Sequence, residues 1–460
     1  MPENLTRREF IKELGKFGAV ASLAPLALSG EQMSDKPFSI KRPSFIKEVD
    51  EPTTEVDWDQ VKRYNETNTS RRGFVKYVGQ DRLDKLTELR NSNTLKWRKE
   101  GRPGYTLKDY ALNEGASEGY ADMSFIGNQK SDTPEDLGVP PWTGSPEDAS
   151  AMVSAALRAF GAATVGFVEL ETNTTEKLLY SVDPDGKEMR IEDADQPEEG
   201  EDYRLIPKKA RWVVSYTVQM SAESFRYAPT VGYTQTTSMA YRRARNIQDR
   251  LQNFLRTLGY MGLGESSTNA TGIAPAFAVM AGLGELSRYN RLLTPEYGSM
   301  VRVFKLVTDL PLAPTKPINA GLLEFCKNCT KCADHCPSKA LSFEKEPYWD
   351  VKGEWNNPGH KAWFEDSPKC RSYWYEVGTG CGICFGVCPF AHNNLASYHN
   401  VQNYLAATIP GFDGTLKKID DLLYTPNTEF GVPQKNPSDW WKNNLPEYGI
   451  DTMRSVNKTS

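Results

Sequence analysis

Apolar residues at Met152, Val153, Ala156, Leu157 and Phe160 recur three and four apart, so they share one face of a helix. Ser145 precedes that stretch as a capping residue, and Pro146 suits the first turn. Thr164 to Leu170 follows as a strand. Trp212, Val214, Tyr216 and Val218 alternate with other residues, which is the period of a second strand. Between the two, Asp183-Pro184-Asp185-Gly186 reads as the turn of a hairpin, and the acidic stretch Glu192 to Asp202 as a solvated loop. The strongest helical signal runs over 236–258, with Ala240, Ala244, Ile247, Leu251, Phe254 and Leu258 facing inward. Gly259 fits its C-terminal end. Strands interleaved with helices predict an α+β (α/β-type) core over 140–320.

The flanks differ in texture. Residues 31–139 are polar, aromatic and rich in Pro, Asn and Gly, which predicts an irregular N-terminal arm. Asp309-Leu-Pro-Leu-Ala-Pro-Thr-Lys-Pro317 reads as a proline-rich hinge. It leads into a cysteine-bearing region over 321–395, and a tail over 396–460 packs on the core through Trp440 and Trp441. At the start of the chain, Thr6-Arg7-Arg8-Glu9-Phe10-Ile11-Lys12 and the apolar stretch Phe17 to Leu28 describe a twin-arginine (Tat) export signal over 1–30. That stretch falls short of the ~20 residues that span a bilayer, and no later one is long and apolar enough. With 55 Lys and Arg against 60 Asp and Glu, the formal net charge is −5. No basic stripe marks the chain for nucleic acid.

The chemistry concentrates in eight cysteines. Cys326, Cys329, Cys332 and Cys336 precede Pro337 in the run C-x2-C-x2-C-x3-C-P. Cys370, Cys381, Cys384 and Cys388 precede Pro389, with a longer first gap. The first run is the bacterial ferredoxin signature, in which the fourth cysteine crosses to the other cluster. By that logic Cys326, Cys329, Cys332 and Cys388 hold one [4Fe–4S] cluster, and Cys336, Cys370, Cys381 and Cys384 hold the other. Four disulfides would not require two similar blocks this close together. Zinc would favour well-separated C-x2-C pairs. The four histidines, His335, His360, His392 and His399, lie within or beyond the cysteine region and read as structural or surface groups.

A passage with Gly262, Gly264, Gly272, Gly282 and Gly284 contains no G-x-G-x-x-G opening a helix, so it supports no nicotinamide site. Short loops of small residues suit a bulky flat cofactor, and they equally suit plain turns.

The export signal, Pro141-Trp-Thr-Gly-Ser-Pro-Glu-Asp148, Ala281-Gly-Leu-Gly-Glu-Leu-Ser-Arg288, the 309–317 block and the two cysteine runs together resemble a corrinoid-dependent reductive dehalogenase, over essentially the whole chain. The resemblance implies a nitroreductase-like core that holds a corrinoid base-off, with a two-cluster ferredoxin-like domain packed on it. It implies Tyr241 as proton donor, with Arg302 and Asn269 beside it. Thr237 lies four residues before Tyr241, on the same helix face. Thr237, Gly282, Gly284 and Arg288 are the expected corrinoid contacts. Relatives that place a lysine before the arginine differ here, because Val301 and Val303 flank Arg302.

A phenol of ordinary pKa near ~10 is a poor acid at neutral pH, and a guanidinium stabilises the phenolate it leaves. The implied substrate is a small organohalide. Trp58, Tyr64, Tyr105 and Tyr110 are offered as an apolar lining for it. The implied partners are a low-potential respiratory electron donor and a small multi-span membrane protein that tethers the enzyme on the outer face of the cytoplasmic membrane. Two other readings remain open from the residues: an epoxyqueuosine reductase-like enzyme, and an exported iron–sulfur electron-transfer subunit without catalysis.

Overall fold

The computed structural model describes residues 42–117, 123–392, 405–408, 413–423 and 435–450. The export signal lies outside the described residues, as do His399 and most of the tail.

The arm is the first departure from the sequence reading. It is not irregular: it contains helices α1 (Gln80–Lys99) and α2 (Leu107–Ser117). α1 is polar on nearly every face, with Leu86 its buried residue. A helix without an apolar stripe leaves no 3.6-residue signal to read. Its support comes from the cysteine region, where Asn93 Nδ2 donates to the Glu376 carbonyl at 3.3 Å and the Arg90 guanidinium lies 5.3 Å from the Tyr375 ring centre.

α3 (Pro146–Phe160) forms as its capping residues predict. Ser145 Oγ accepts from the Asp148 amide at 3.1 Å, and Gly161 ends the helix in the left-handed region at φ 109°. α4 (Val231–Leu258) starts five residues before the periodic pattern does. Its first turns bury polar side chains that hide the stripe: Gln235 donates to Ser224 Oγ at 2.8 Å, and Thr236 Oγ1 accepts from the Ser221 amide at 2.7 Å. Leu255, rather than Phe254 and Leu258, completes the buried face. Gly259 closes the helix at φ 94°.

Four strands make the central sheet: β1 (Thr164–Glu169), β2 (Trp212–Gln219), β3 (Gly262–Leu263) and β4 (Val301–Thr308), in the order β1-β2-β4-β3, all antiparallel. The fold is therefore α+β. Arg302 stands opposite Val218, and Phe304 opposite Tyr216. Both faces of the sheet are covered. Val214, Tyr216, Val218, Phe304 and Leu306 pack with α3 and α4, while Val213, Val301 and Val307 pack with α5 (Ala274–Met280). Buried threonines of β1 and β2 pair across the sheet, in the 2.6 Å hydroxyl contact of Thr164 and Thr217. A strand buried on both sides reads less cleanly than a half-exposed one.

The cysteine region contributes α6 (Leu322–Asn328), α7 (Lys331–Asp334), α8 (Ser367–Val377) and α9 (Ile383–Gly386). Five of its thiols share one apolar core with β2, β4 and α4. The 309–317 segment does not behave as a hinge. Leu310 and Leu312 are buried, and Thr315 is pinned between the Phe167 and Ala281 carbonyls. From the tail, α10 (Asp413–Leu423) sets Asp420 against Lys331, and Asp421 lies 3.1 Å from the same ammonium. Trp440 packs edge-on against Tyr227, and Trp441 Nε1 donates to Asp109 at 2.9 Å. Among the described residues no helix is long and apolar enough to cross a membrane.

Candidate functional site

All eight cysteines are free thiols and none is exposed. Burial pushes up the pKa values of Cys326, Cys329, Cys332, Cys370, Cys381, Cys384 and Cys388, and neighbouring thiols add to several of these shifts within two groups. Cys326 is raised further by Cys329 and Cys388, and Cys332 by Cys329 and Cys326. Cys381 is raised further by Cys370 and Cys336, and Cys384 by Cys381 and Cys336. Each group draws on both cysteine runs, Cys388 acting on Cys326 and Cys336 on Cys381. Cys332 also feels Cys384, so the groups adjoin. Among the described residues no three His, Cys, Asp or Glu side chains close on a single ion-sized point. Thiols that influence one another without converging fit an object larger than one metal ion, and thiolates are the ligands such iron–sulfur objects need.

From this region one face of α4 leads into the core. Tyr233, Thr237 and Tyr241 lie four apart and so stack along the helix. The Tyr233 hydroxyl abuts Gly380 and Gly382, where an added Cβ would strike it, and its pKa is pushed well up by burial and by Cys381. Thr237 Oγ1 accepts from Arg302 Nη2 at 3.3 Å. The Arg302 guanidinium lies 5.2 Å from the centre of the half-buried Tyr241 ring, and Phe304 closes the edge of that ring at 5.9 Å. Arg302 Nε is buried and has no partner among the described residues. Tyr241, Arg302 and Thr237 thus form one assembly. The i, i+4, i+8 spacing could have added Tyr233 to it from sequence.

Asn269 is placed differently. It adopts φ 66°, and its Nδ2 donates to the Tyr180 hydroxyl at 3.0 Å and to Glu66 Oε1 at 3.5 Å. Tyr180 belongs to the apolar cluster beyond the sheet, not to the one that holds Tyr241. With both amide hydrogens committed there, the amide is not poised to donate to a departing halide. Glu66 is 1% exposed, and burial raises its pKa to about 7. A carboxyl with a raised folded pKa holds its proton more tightly when folded, so its contribution is intact below pH 4.5 and is lost as pH rises through about 7. Glu66→Gln should therefore abolish a fall in stability on the order of 3 kcal/mol across that window, measured by urea unfolding at a series of pH values.

Of the four expected corrinoid contacts, Thr237 stands with Tyr241 and Arg302, and the other three are engaged by the protein itself. The Arg288 side chain is fully buried and faces the cysteine loop. Nε donates to the carbonyls of Cys326 and Cys329 at 3.0 and 2.9 Å, Nη1 to those of Ser342 and Glu344 at 3.0 and 2.6 Å, and Nη2 to Cys326 at 2.6 Å. Trp363 covers the guanidinium at 4.6 Å. No donor is left for a cofactor edge. Gly282, at φ 70°, lies where a Cβ would strike the Lys316 carbonyl, and Gly284 where one would strike the Leu293 carbonyl. Close approach of the chain to itself accounts for both glycines. The arm aromatics do not share one lining either. Trp58 and Tyr64 pack with the Tyr180 cluster, whereas Tyr105 is buried against Trp97 at 4.7 Å and Tyr110 lies under Arg98 at 3.9 Å.

Fold and site together define an iron–sulfur redox protein that carries a half-buried tyrosine–arginine pair on its core helix and sheet. Known proteins make this specific. The family model described as reductive dehalogenase subunit matches residues 41–185 and 190–312, and the 4Fe–4S double cluster binding domain matches 325–391. The chain belongs to the reductive dehalogenases, oxidoreductases that act on carbon–halogen bonds. Its cofactor set is that of the family, a corrinoid with two [4Fe–4S] clusters.

The chain is 27% identical to a trichloroethene reductive dehalogenase of Dehalococcoides mccartyi, over 97% of this chain and 98% of that protein. It is 29% identical to a tetrachloroethene reductive dehalogenase of Sulfurospirillum multivorans, over 97% of this chain and 95% of that one. A solved catabolic reductive dehalogenase in complex with 3-bromo-4-hydroxybenzoic acid shares the fold at a TM-score of 0.61 and 23% identity. That match covers 87% of this chain and 52% of the solved chain, so this protein spans about half the length of that relative.

Proposed function

We propose that this protein replaces the halogen of a small organohalide by hydrogen, with Tyr241 as the proton donor. The observation that carries the reading is the Arg302 guanidinium lying 5.2 Å from the Tyr241 ring centre while it is tied to Thr237, one turn earlier on the same helix. The balance of the reaction is two electrons and one proton in; the carbon–halogen bond is replaced by carbon–hydrogen, and halide leaves with an electron pair. The corrinoid, when bound, supplies the cobalt chemistry at the carbon–halogen bond, and the clusters supply electrons one at a time.

The residues present suit both groups. Eight thiols, none of them exposed, suffice for two cubanes, with Cys326, Cys329, Cys332 and Cys388 on one and Cys336, Cys370, Cys381 and Cys384 on the other. The two described imidazoles are engaged elsewhere, His335 with the Lys331 carbonyl at 2.8 Å and His360 against the Phe364 ring at 5.1 Å. That suits a corrinoid held without a protein histidine. The protein's own work is then positional and electrostatic. Thr237 fixes the guanidinium, Arg302 stabilises the phenolate as the Tyr241 proton leaves, and Phe304 keeps water from one edge of the ring. The unpartnered Arg302 Nε offers one more donor to substrate or cofactor.

Export by the twin-arginine route, a membrane-embedded tether and a low-potential donor complete the reading. Their support is the Arg7-Arg8 motif and the family. The test is anaerobic purification followed by metal analysis and a panel of organohalides with a low-potential reductant. About eight iron and one cobalt per chain, with halide release, are expected; iron without cobalt would leave only an electron carrier. Cys336→Ala should cost the cluster of Cys370, Cys381 and Cys384 and spare the other, so iron falls to about half. Loss of the cluster of Cys326, Cys329 and Cys332 instead would reverse the crossed assignment.

A further inference from the structure

Strands Glu285–Leu286 and Leu292–Leu293 pair antiparallel, and the tip between them is tightly made. The Ser287 amide donates to the Arg291 carbonyl at 2.9 Å, Ser287 Oγ donates to the same carbonyl at 2.8 Å, and Asn290 takes φ 53°. This one hairpin tip sends a different side chain to each thiol group. The Tyr289 hydroxyl, 2% exposed as a residue, donates to Cys388 Sγ at 3.9 Å. Its ring is held against Phe385 at 5.2 Å, so the hydroxyl is aimed by packing. Arg291 Nη2 donates to Glu365 Oε1 at 2.6 Å, and Ser367 Oγ donates to the same oxygen at 2.7 Å. That ion pair is tied through Ser367 to the first turn of α8, which carries Cys370, whose amide donates to the Asp366 carbonyl at 3.1 Å.

Reduction adds negative charge that spreads onto the cluster sulfurs. A hydrogen bond to a ligand sulfur, or a nearby cation, stabilises the reduced form and raises the potential; a nearby anion lowers it. We propose that the 287–291 hairpin tip sets the two cluster potentials separately, Tyr289 through its hydrogen bond to Cys388 on one cluster and Arg291, balanced by Glu365, at the helix turn that carries Cys370 on the other. The proposal rests on the crossed ligand groups above. Tyr289 and Arg291 are positioning residues here, because neither is placed at the reacting atoms. Two sites of different potential, adjusted from one rigid turn of the catalytic core, give the core control over the direction of electron flow.

The test uses the reconstituted holoenzyme, with iron and sulfide counted and the midpoint potential of each cluster followed by EPR. Tyr289→Phe removes one hydroxyl and keeps the ring. It should lower one midpoint potential and leave the second in place. Glu365→Gln should raise the second and leave the first in place. The proposal is overturned if neither variant moves a potential, if both move the same cluster, or if Tyr289→Phe fails to load iron, which would make the hydroxyl structural. Wild-type protein that binds only about four iron would instead overturn the ligand groups themselves.

Discussion

Tyr241→Phe should retain full iron and cobalt content and lose turnover by a factor of ~10²–10⁴, the usual worth of a positioned proton donor. The substitution isolates the hydroxyl. The ring stays under the Arg302 cation and keeps its edge contact with Phe304, so folding and cofactor loading should be unaffected. Steady-state halide release checks the rate, and absorption spectra check the cofactors. If the residual rate comes from a proton delivered by water, the solvent isotope effect should change with it. Wild-type turnover in this variant would remove Tyr241 from the chemistry and leave Arg302 as a binding group alone.

The second large effect is structural and falls on Arg288. Arg288→Leu should destabilise the protein by about 3–5 kcal/mol and release iron, because it leaves the carbonyls of Cys326, Cys329 and Ser342 without donors and Glu344 with the Trp363 indole alone. Arg288→Lys should rescue little of this. One ammonium cannot reproduce a planar fork that serves four carbonyls at once. Thermal unfolding together with iron and sulfide analysis measures both consequences. A variant with full iron and an unchanged melting temperature would show that the cysteine loop holds its shape by its thiols alone.

These two residues also mark where the sequence could and could not be read. The cysteine spacing was legible as a double cluster domain because four-sulfur ligation imposes a local geometry. The inward face of α4 was legible from Ala240 to Leu251, since apolar periodicity there is uninterrupted. It failed at Tyr233 to Thr236, where buried polar side chains satisfy one another across turns that the sequence does not connect. α1 was illegible because its stability comes from α8, nearly 300 residues later. Arg288 lay in a block that carried the family resemblance, but the block gives no direction. Only the packed structure turns the guanidinium toward the cysteine loop. Gly282 and Gly284 make the same point: a missing side chain signals crowding without naming what crowds it.

The ammonium of Lys331, between two cysteines of the first run, has its counter-charges on α10, almost 90 residues further along. A buried cation without a counter-charge costs several kcal/mol. The first run is therefore braced from outside by that late helix, whose carboxylates neutralise the cation set between its cysteines. A chain shortened ahead of Asp413 should keep its sheet yet hold its first cubane poorly, with that cubane open to oxygen from the side that α10 covers.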